Sequence, residues 1–125
     1  LLNCGTLETR HIPIQLPGYC FVLCDSGVKH TLASSAYNER RQQCEQALKA
    51  LHGSLPELQS LSQISLDDWH LYSQLLTDPV LLKRAQHVVT ENARTLEAAE
   101  ALEQGEPERL GALMKASHAS LRDDY

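Results

Sequence analysis

Apolar positions along the chain change their period near residue 35. Upstream, the pattern is that of extended chain. Residues 7–14, Leu-Glu-Thr-Arg-His-Ile-Pro-Ile, partly alternate apolar and polar, the period of a strand with one covered face. Residues 1–14 therefore read as two short strands or one bent strand. Gly5 permits a bulge or turn, and Pro13, lacking a backbone donor, favours a strand edge or end. Pro17-Gly18 signals a turn. Residues 19–24, Tyr-Cys-Phe-Val-Leu-Cys, are a short apolar run between turn residues, which fits a strand covered on both faces. The two stretches are expected to pair antiparallel across the turn. Asp25-Ser26-Gly27 ends the strand, with Gly27 in a backbone conformation that other residues avoid.

From Ser35 onward the spacing is helical. Ser35 is a fitting N-cap, and Tyr37, Cys44, Ala47, Leu48 and Leu51 make one stripe up to about His52, with Gly53 as the stop. Tyr37 falls in the first turn. Ser54-Leu55-Pro56-Glu57 has the form of a capping box with proline in the first turn, predicting a short helix through Leu61. Ser65-Leu66-Asp67-Asp68 predicts another, carrying Trp69, Tyr72, Leu75 and Leu76. Asp78-Pro79 opens a long helix to Gln104, stopped by Gly105; its inward stripe is Leu81, Ala85, Val88, Val89, Asn92, Leu96, Ala99 and Leu102. Glu106-Pro107 restarts the chain, and Leu110, Leu113, Met114 and Ser117 give the matching stripe of an antiparallel helical hairpin. The fold class is α+β: a small antiparallel β-sheet followed by a mostly helical segment with an αα-hairpin. No internal repeat or low-complexity segment interrupts it.

Composition narrows the picture. A chain of 125 residues with 42% hydrophobic content can bury one modest core. A net charge of −5 excludes a general nucleic-acid binder. Arg40-Arg41, a compact basic pair, has Glu39 and Glu45 beside it and reads as a solvated helix face rather than a phosphate site. No apolar run approaches the ~20 residues that span a bilayer, and no secretory leader pattern opens the chain. The chain begins without Met and in mid-strand, and it looks cut from something longer. Cys4, Cys20, Cys24 and Cys44 do not form a disulfide framework, so free thiols and a cytoplasmic location are expected. Cys20 and Cys24 share a strand face and, with Cys4 and a histidine, are a conceivable zinc set. No C-x-x-C spacing supports it, and buried small residues are the better reading.

Several side chains could carry chemistry. Lys29, His30, Ser34 and Ser35 share the strand-to-helix junction; solvation, backbone hydrogen bonding and capping account for them, since no oriented His/Asp pair accompanies the serines. His87 and Glu91 share a helix face at metal-ligand spacing, but two ligands are too few and structural hydrogen bonding suffices. Glu91 and Arg94 are spaced for a surface ion pair. Ser117 and His118 read as local caps, and Asp123-Asp124 as a solvated acidic pair.

Three runs resemble a known family. Ser26-Gly27-Val28-Lys29-His30-Thr31-Leu32-Ala33-Ser34-Ser35-Ala36-Tyr37-Asn38-Glu39-Arg40-Arg41 is the first. Arg84-Ala85-Gln86-His87-Val88-Val89-Thr90-Glu91-Asn92, with Arg94 after it, is the second. Gly111-Ala112-Leu113-Met114, then Ser117-His118 and Ser120-Leu121-Arg122-Asp123-Asp124-Tyr125, is the third. In this order they resemble segments of galactokinases, members of the GHMP kinase superfamily, over nearly the whole chain. Two departures are Leu110, where the family commonly has an aromatic residue, and Ala116, where it often has an acidic one.

The resemblance implies a part of a two-domain GHMP kinase fold. Residues 1–25 would be strands from the end of the N-terminal domain and the inter-domain sheet, and residues 26–125 the helical start of the C-terminal domain. It implies that Tyr37 contacts galactose, its hydroxyl hydrogen bonding and its ring packing on a sugar face. The family's phosphate loop, its aspartate base and its N-terminal galactokinase signature have no match here. This fragment therefore holds no catalytic residue, no metal ligand and no main ATP or Mg²⁺ motif. The parent would use MgATP to phosphorylate the anomeric hydroxyl of α-D-galactose, giving galactose 1-phosphate, while the fragment alone would be inactive. Two alternatives stay open: a helical interaction module without catalysis, and a related kinase acting on N-acetylgalactosamine. Self-association through exposed apolar faces is expected under either reading.

Overall fold

The computed structural model describes residues 1–25, 27 and 35–125. Its helices are α1 (Ser35–Leu51), α2 (Leu66–Tyr72), α3 (Pro79–Gln104) and α4 (Pro107–Asp123), with short 3₁₀ turns at Leu61–Gln63 and Ser73–Leu75.

Local chemistry explains each boundary. In α1, residues of high helix propensity dominate, and Arg41–Glu45 and Gln43–Glu39, each at 3.0 Å and four apart, brace the exposed face. Ser65 caps α2, its Oγ accepting the Asp68 amide at 3.0 Å. Asp78 caps α3: Oδ1 accepts the amides of Val80 (2.8 Å) and Leu81 (3.3 Å), and Pro79 occupies the first turn, where its missing donor costs nothing. Gly105 ends α3 with φ +68°, and the Glu106 amide reaches back to the Ala101 carbonyl at 2.8 Å. This tight reversal lays α4 antiparallel on α3.

The first half of α3 is the floor of the core. Ala85 and Val89 meet Ala47 and Leu51 of α1, Leu61 and Ile64 of the first 3₁₀ segment, Trp69 of α2, and Leu76. Farther along α3 only Ala99 and Ala101 are buried, with Leu110 of α4. Leu96 and Met114, expected inward, are about half exposed, because the core elements α1 and α2 reach only the first half of α3.

Three expectations are corrected. The small antiparallel sheet is absent: among the described residues there is no strand, only an isolated antiparallel bridge between Leu2 and Thr9. Residues 19–24, expected to be a strand covered on both faces, form no ladder with any other described residue, and Phe21, Val22 and Leu23 stand 55%, 75% and 96% exposed. A central strand needs ladder partners on both sides, and these residues have none. Cys4, Cys20 and Cys24 are accordingly exposed free thiols rather than buried packing residues. Finally, Ser54–Glu57 does not open a helix. The capping box forms six residues later, where Gln63 Oε1 accepts the Ser60 amide at 3.1 Å, because Leu61 and Ile64 then both turn into the core.

The N-terminal arm still touches the helices. The Tyr19 hydroxyl donates to Glu108 Oε1 at 2.6 Å, and Arg10 lies 3.9 Å from Glu103. No helix among the described residues is long and apolar enough to cross a membrane.

Leu51 is fully buried, whereas Leu71 is largely exposed. Denaturant unfolding followed by the single tryptophan, Trp69, should show Leu51→Ala losing about 2–5 kcal/mol. Leu71→Ala should change stability by only about 0.5 kcal/mol or less.

Candidate functional site

Tyr37 lies in the first turn of α1 with its ring 67% exposed. Lys29, His30 and Ser34 lie outside the described residues, as does the side chain of Ser35, so their expected roles are not placed. Gly27, just upstream, has φ +67°, the left-handed conformation expected of it, and its amide bonds Asp25 Oδ1 at 2.8 Å.

Tyr37, Arg40 and Cys44 recur at i, i+3 and i+7, one face of α1. That face meets the C-terminal end of α4. A helix ends with carbonyls that lack intrahelical partners and carry partial negative charge. Here three basic side chains answer them in succession. Lys83 Nζ donates to the Asp123 carbonyl at 3.0 Å, Arg84 Nη1 to that of Asp124 at 2.6 Å, and Arg40 Nε to the main-chain oxygen of Tyr125. Arg84 also donates through Nε to Gln43 Oε1 at 2.7 Å, tying α3 to α1.

The Tyr125 ring completes the junction. It stacks on the His87 imidazole with centroids 4.4 Å apart and planes at 22°, and the Arg84 guanidinium carbon lies 5.8 Å from its centroid. Its hydroxyl and the Cys44 thiol influence each other's ionisation. Burial foremost pushes the Cys44 thiol pKa up, against the opposing effects of the Tyr125 hydroxyl and the Arg84 charge. Cys44 is thus a packing thiol rather than a reactive one. Tyr125 is also raised, by burial first, then by Cys44, with Tyr37 among the smaller causes.

His87 and Glu91 share a face but serve different partners. His87 Nδ1 lies 3.0 Å from Ser120 Oγ, which reaches Asp124 Oδ2 at 3.5 Å. Glu91 accepts from Ser117 Oγ at 2.6 Å and pairs with Arg94. Ser117 is therefore a bridge between α4 and α3, not a cap. The Glu91–Arg94 pair, expected on the surface, is largely covered because α4 packs over it. Asp123 pairs with its neighbour Arg122 at 2.7 Å. Among the described residues no three His, Cys, Asp or Glu side chains gather to hold a metal ion.

Each of the three runs singled out in the sequence supplies part of this junction: Tyr37 and Arg40 from the first, Arg84 and His87 from the second, Ser120 to Tyr125 from the third. Arg84 and Tyr125 had no role assigned from spacing. Their common signal was membership in those runs. Two grooves form elsewhere. One, about 390 Å³, lies between the loop after α1 and α2, with Leu55, Ile64, Asp68 and Tyr72 in its wall. The other, about 620 Å³, lies between the arm and α3.

No family model matches the chain. It is nevertheless 49% identical over 125 residues to a galactokinase of Chloroflexus aurantiacus, covering all of this chain and 32% of that protein. It is 46% identical over 124 residues to a galactokinase of Limosilactobacillus fermentum, covering 99% of this chain and 32% of that one. Among solved structures, the galactokinase of Lactococcus lactis complexed with galactose superposes with a TM-score of 0.92 at 39% identity, over 99% of this chain and 32% of that chain. The chain thus spans about a third of the length of the curated relatives it matches.

Burial foremost holds the His87 pKa below its ordinary 6.5, with Arg94 and Arg84 acting in the same sense and Asp124 opposing. Above 6.5 both folded and unfolded chains are neutral at this position. As pH falls through 6.5 toward the lowered folded value, the unfolded chain takes the proton first and stability drops. The denaturation midpoint should therefore fall between about pH 7.5 and about pH 5.5, and fall less in His87→Gln.

Proposed function

We propose, from the homology to galactokinases along the whole chain, that this polypeptide is one part of a galactokinase. The intact protein transfers the γ-phosphoryl group of ATP to the anomeric hydroxyl of α-D-galactose. Residues 1–25 belong to the end of its N-terminal domain and residues 26–125 to the helical start of its C-terminal domain. The observation that carries this reading is similarity at 42–49% identity to galactokinases across the full 125 residues.

Within this part, Tyr37 is the galactose contact. Its exposed phenol at the first turn of α1 offers one donor and an acceptor oxygen to a sugar hydroxyl, and its ring offers an apolar face. A relative solved with galactose bound supports the choice of sugar.

The residues described here do not fit MgATP. Lys83 and Arg84 are committed to helix-end carbonyls, Asp123 is paired with Arg122, and no cluster of candidate metal ligands forms. By the resemblance, ATP and Mg²⁺ belong to the parent's phosphate loop and aspartate base, neither of which has a match in this sequence. The contribution proposed for this part is that Tyr37 binds and orients the sugar, the share of phosphoryl transfer that positioning supplies.

A coupled assay of the purified 125-residue chain should show no ATP-dependent phosphorylation of galactose; clear turnover would overturn the division of labour. In the full-length enzyme, Tyr37→Phe should raise the galactose KM about 2- to 10-fold, the worth of one neutral hydrogen bond, with the ATP KM unchanged. A panel of sugars offered to the full-length protein tests the substrate: galactose should be preferred, and its rejection would contradict the reading.

A further inference from the structure

We infer that the junction of Tyr125 with His87, Arg84 and Arg40 is a positioning device: it holds the first half of α1 to the rest of the fold and thereby places Tyr37. The inference rests on the reading of Tyr37 as the sugar contact.

The two halves of α1 are held differently. Its buried positions are Ala47 and Leu51, and Cys44 and Leu48 pack beside them on the core. Among the described side chains of α1, hydrophobic anchoring therefore begins at Cys44. Before it, the contacts described to other elements are polar: Arg40 on the Tyr125 main-chain oxygen and Gln43 on Arg84. The Tyr37 ring is 67% exposed and does not anchor its own turn. Helix ends fray unless tertiary contacts hold them, and what Arg40 and Gln43 grip helps to hold this turn.

What they grip is itself rigidly set. Tyr125 is clamped by the His87 ring at 4.4 Å, and the carbonyl before it is held by Arg84 at 2.6 Å. His87 is fixed in turn by Ser120, which is buried on α4. Arg84 and His87 stand one turn apart on α3, beside Ala85 and Val89 of the core. The path runs from core to α3, to the end of α4, to Arg40, and to Tyr37 one turn upstream. Tyr125, Arg84 and His87 are positioning residues: they act on the sugar through α1.

The test uses the full-length enzyme with Tyr125→Leu, which removes the stack, and Arg40→Gln, which removes the charged donor. Tyr125→Phe keeps the ring and serves as the conservative rescue. Far-ultraviolet circular dichroism checks that each variant is folded. Hydrogen exchange of amides 37–43 should accelerate in both disruptive variants, while amides 85–89 of α3 stay protected. The galactose KM should rise on the order of 3- to 10-fold, the factor expected for a lost aromatic pair, with ATP KM unchanged and Tyr125→Phe near wild type. Adding Tyr125→Leu to Tyr37→Phe should raise the galactose KM little further, because both act through one hydroxyl. Unaltered exchange at 37–43 in both disruptive variants overturns the proposal. So does faster exchange with an unchanged galactose KM in an enzyme where Tyr37→Phe raises it. Failure of the sugar-contact reading shows separately, as an unchanged galactose KM in Tyr37→Phe alone.

Discussion

The structure depends on how the end of one helix is received by two others. The carbonyl of Asp123, the last residue of α4, has no partner within the helix, and those of Asp124 and Tyr125 follow just past the helix end. Lys83, Arg84 and Arg40 supply three donors for three successive main-chain oxygens, from residues 123 to 125. Their positive charge also complements the negative end of the helix dipole. The Tyr125 ring is stacked on His87 of α3, with the Arg84 guanidinium over its face. Residues more than 80 positions apart in sequence, Arg40 and Tyr125, are joined this way.

Around that junction the fold divides its labour. The hydrophobic core, from Ala47 through Val89, fixes the second half of α1, α2 and the first half of α3. Polar contacts fix α4 to α3: Ser120 on His87, Ser117 on Glu91, and Arg109 on Glu97 at 3.1 Å. Arg109 also meets Glu106 at 3.0 Å within α4's own first turn, a partly exposed set that contributes modestly. The arm of residues 1–25 stands apart from this, with Phe21, Val22 and Leu23 exposed and few polar ties to the helices. An apolar run so exposed lacks the burial that stabilises a strand, which is consistent with a chain one third the length of its relatives.

Local signals were read well from sequence because their causes are local. Asp78-Pro79 and Gly105 bound α3 where capping chemistry says they must, and Glu106-Pro107 opens α4. The period of Ala47, Leu51, Ala85 and Val89 marked the core face. The failures have a common cause in partners that lie elsewhere. An apolar run at residues 19–24 has the composition of a strand, but a strand exists only with neighbours to pair. Ser54–Glu57 satisfies the capping pattern, yet the burial of Leu61 and Ile64 selected Ser60 instead. The junction was invisible to spacing for the same reason: helical period relates residues three or four apart, not Gln43 with Arg84 or Arg84 with Asp124. Only the resemblance of three distant runs to one family hinted that they belong together.

The central claim is that these runs meet through the ring of Tyr125 lying on His87. Nuclear Overhauser effects between the two rings in the folded protein test it most directly. The account predicts cross-peaks between the ring protons of His87 and Tyr125, with the His87 protons shifted upfield by the stacked ring at 4.4 Å. Absent cross-peaks, together with random-coil shifts for His87 in a chain whose Trp69 is buried as described, would contradict it.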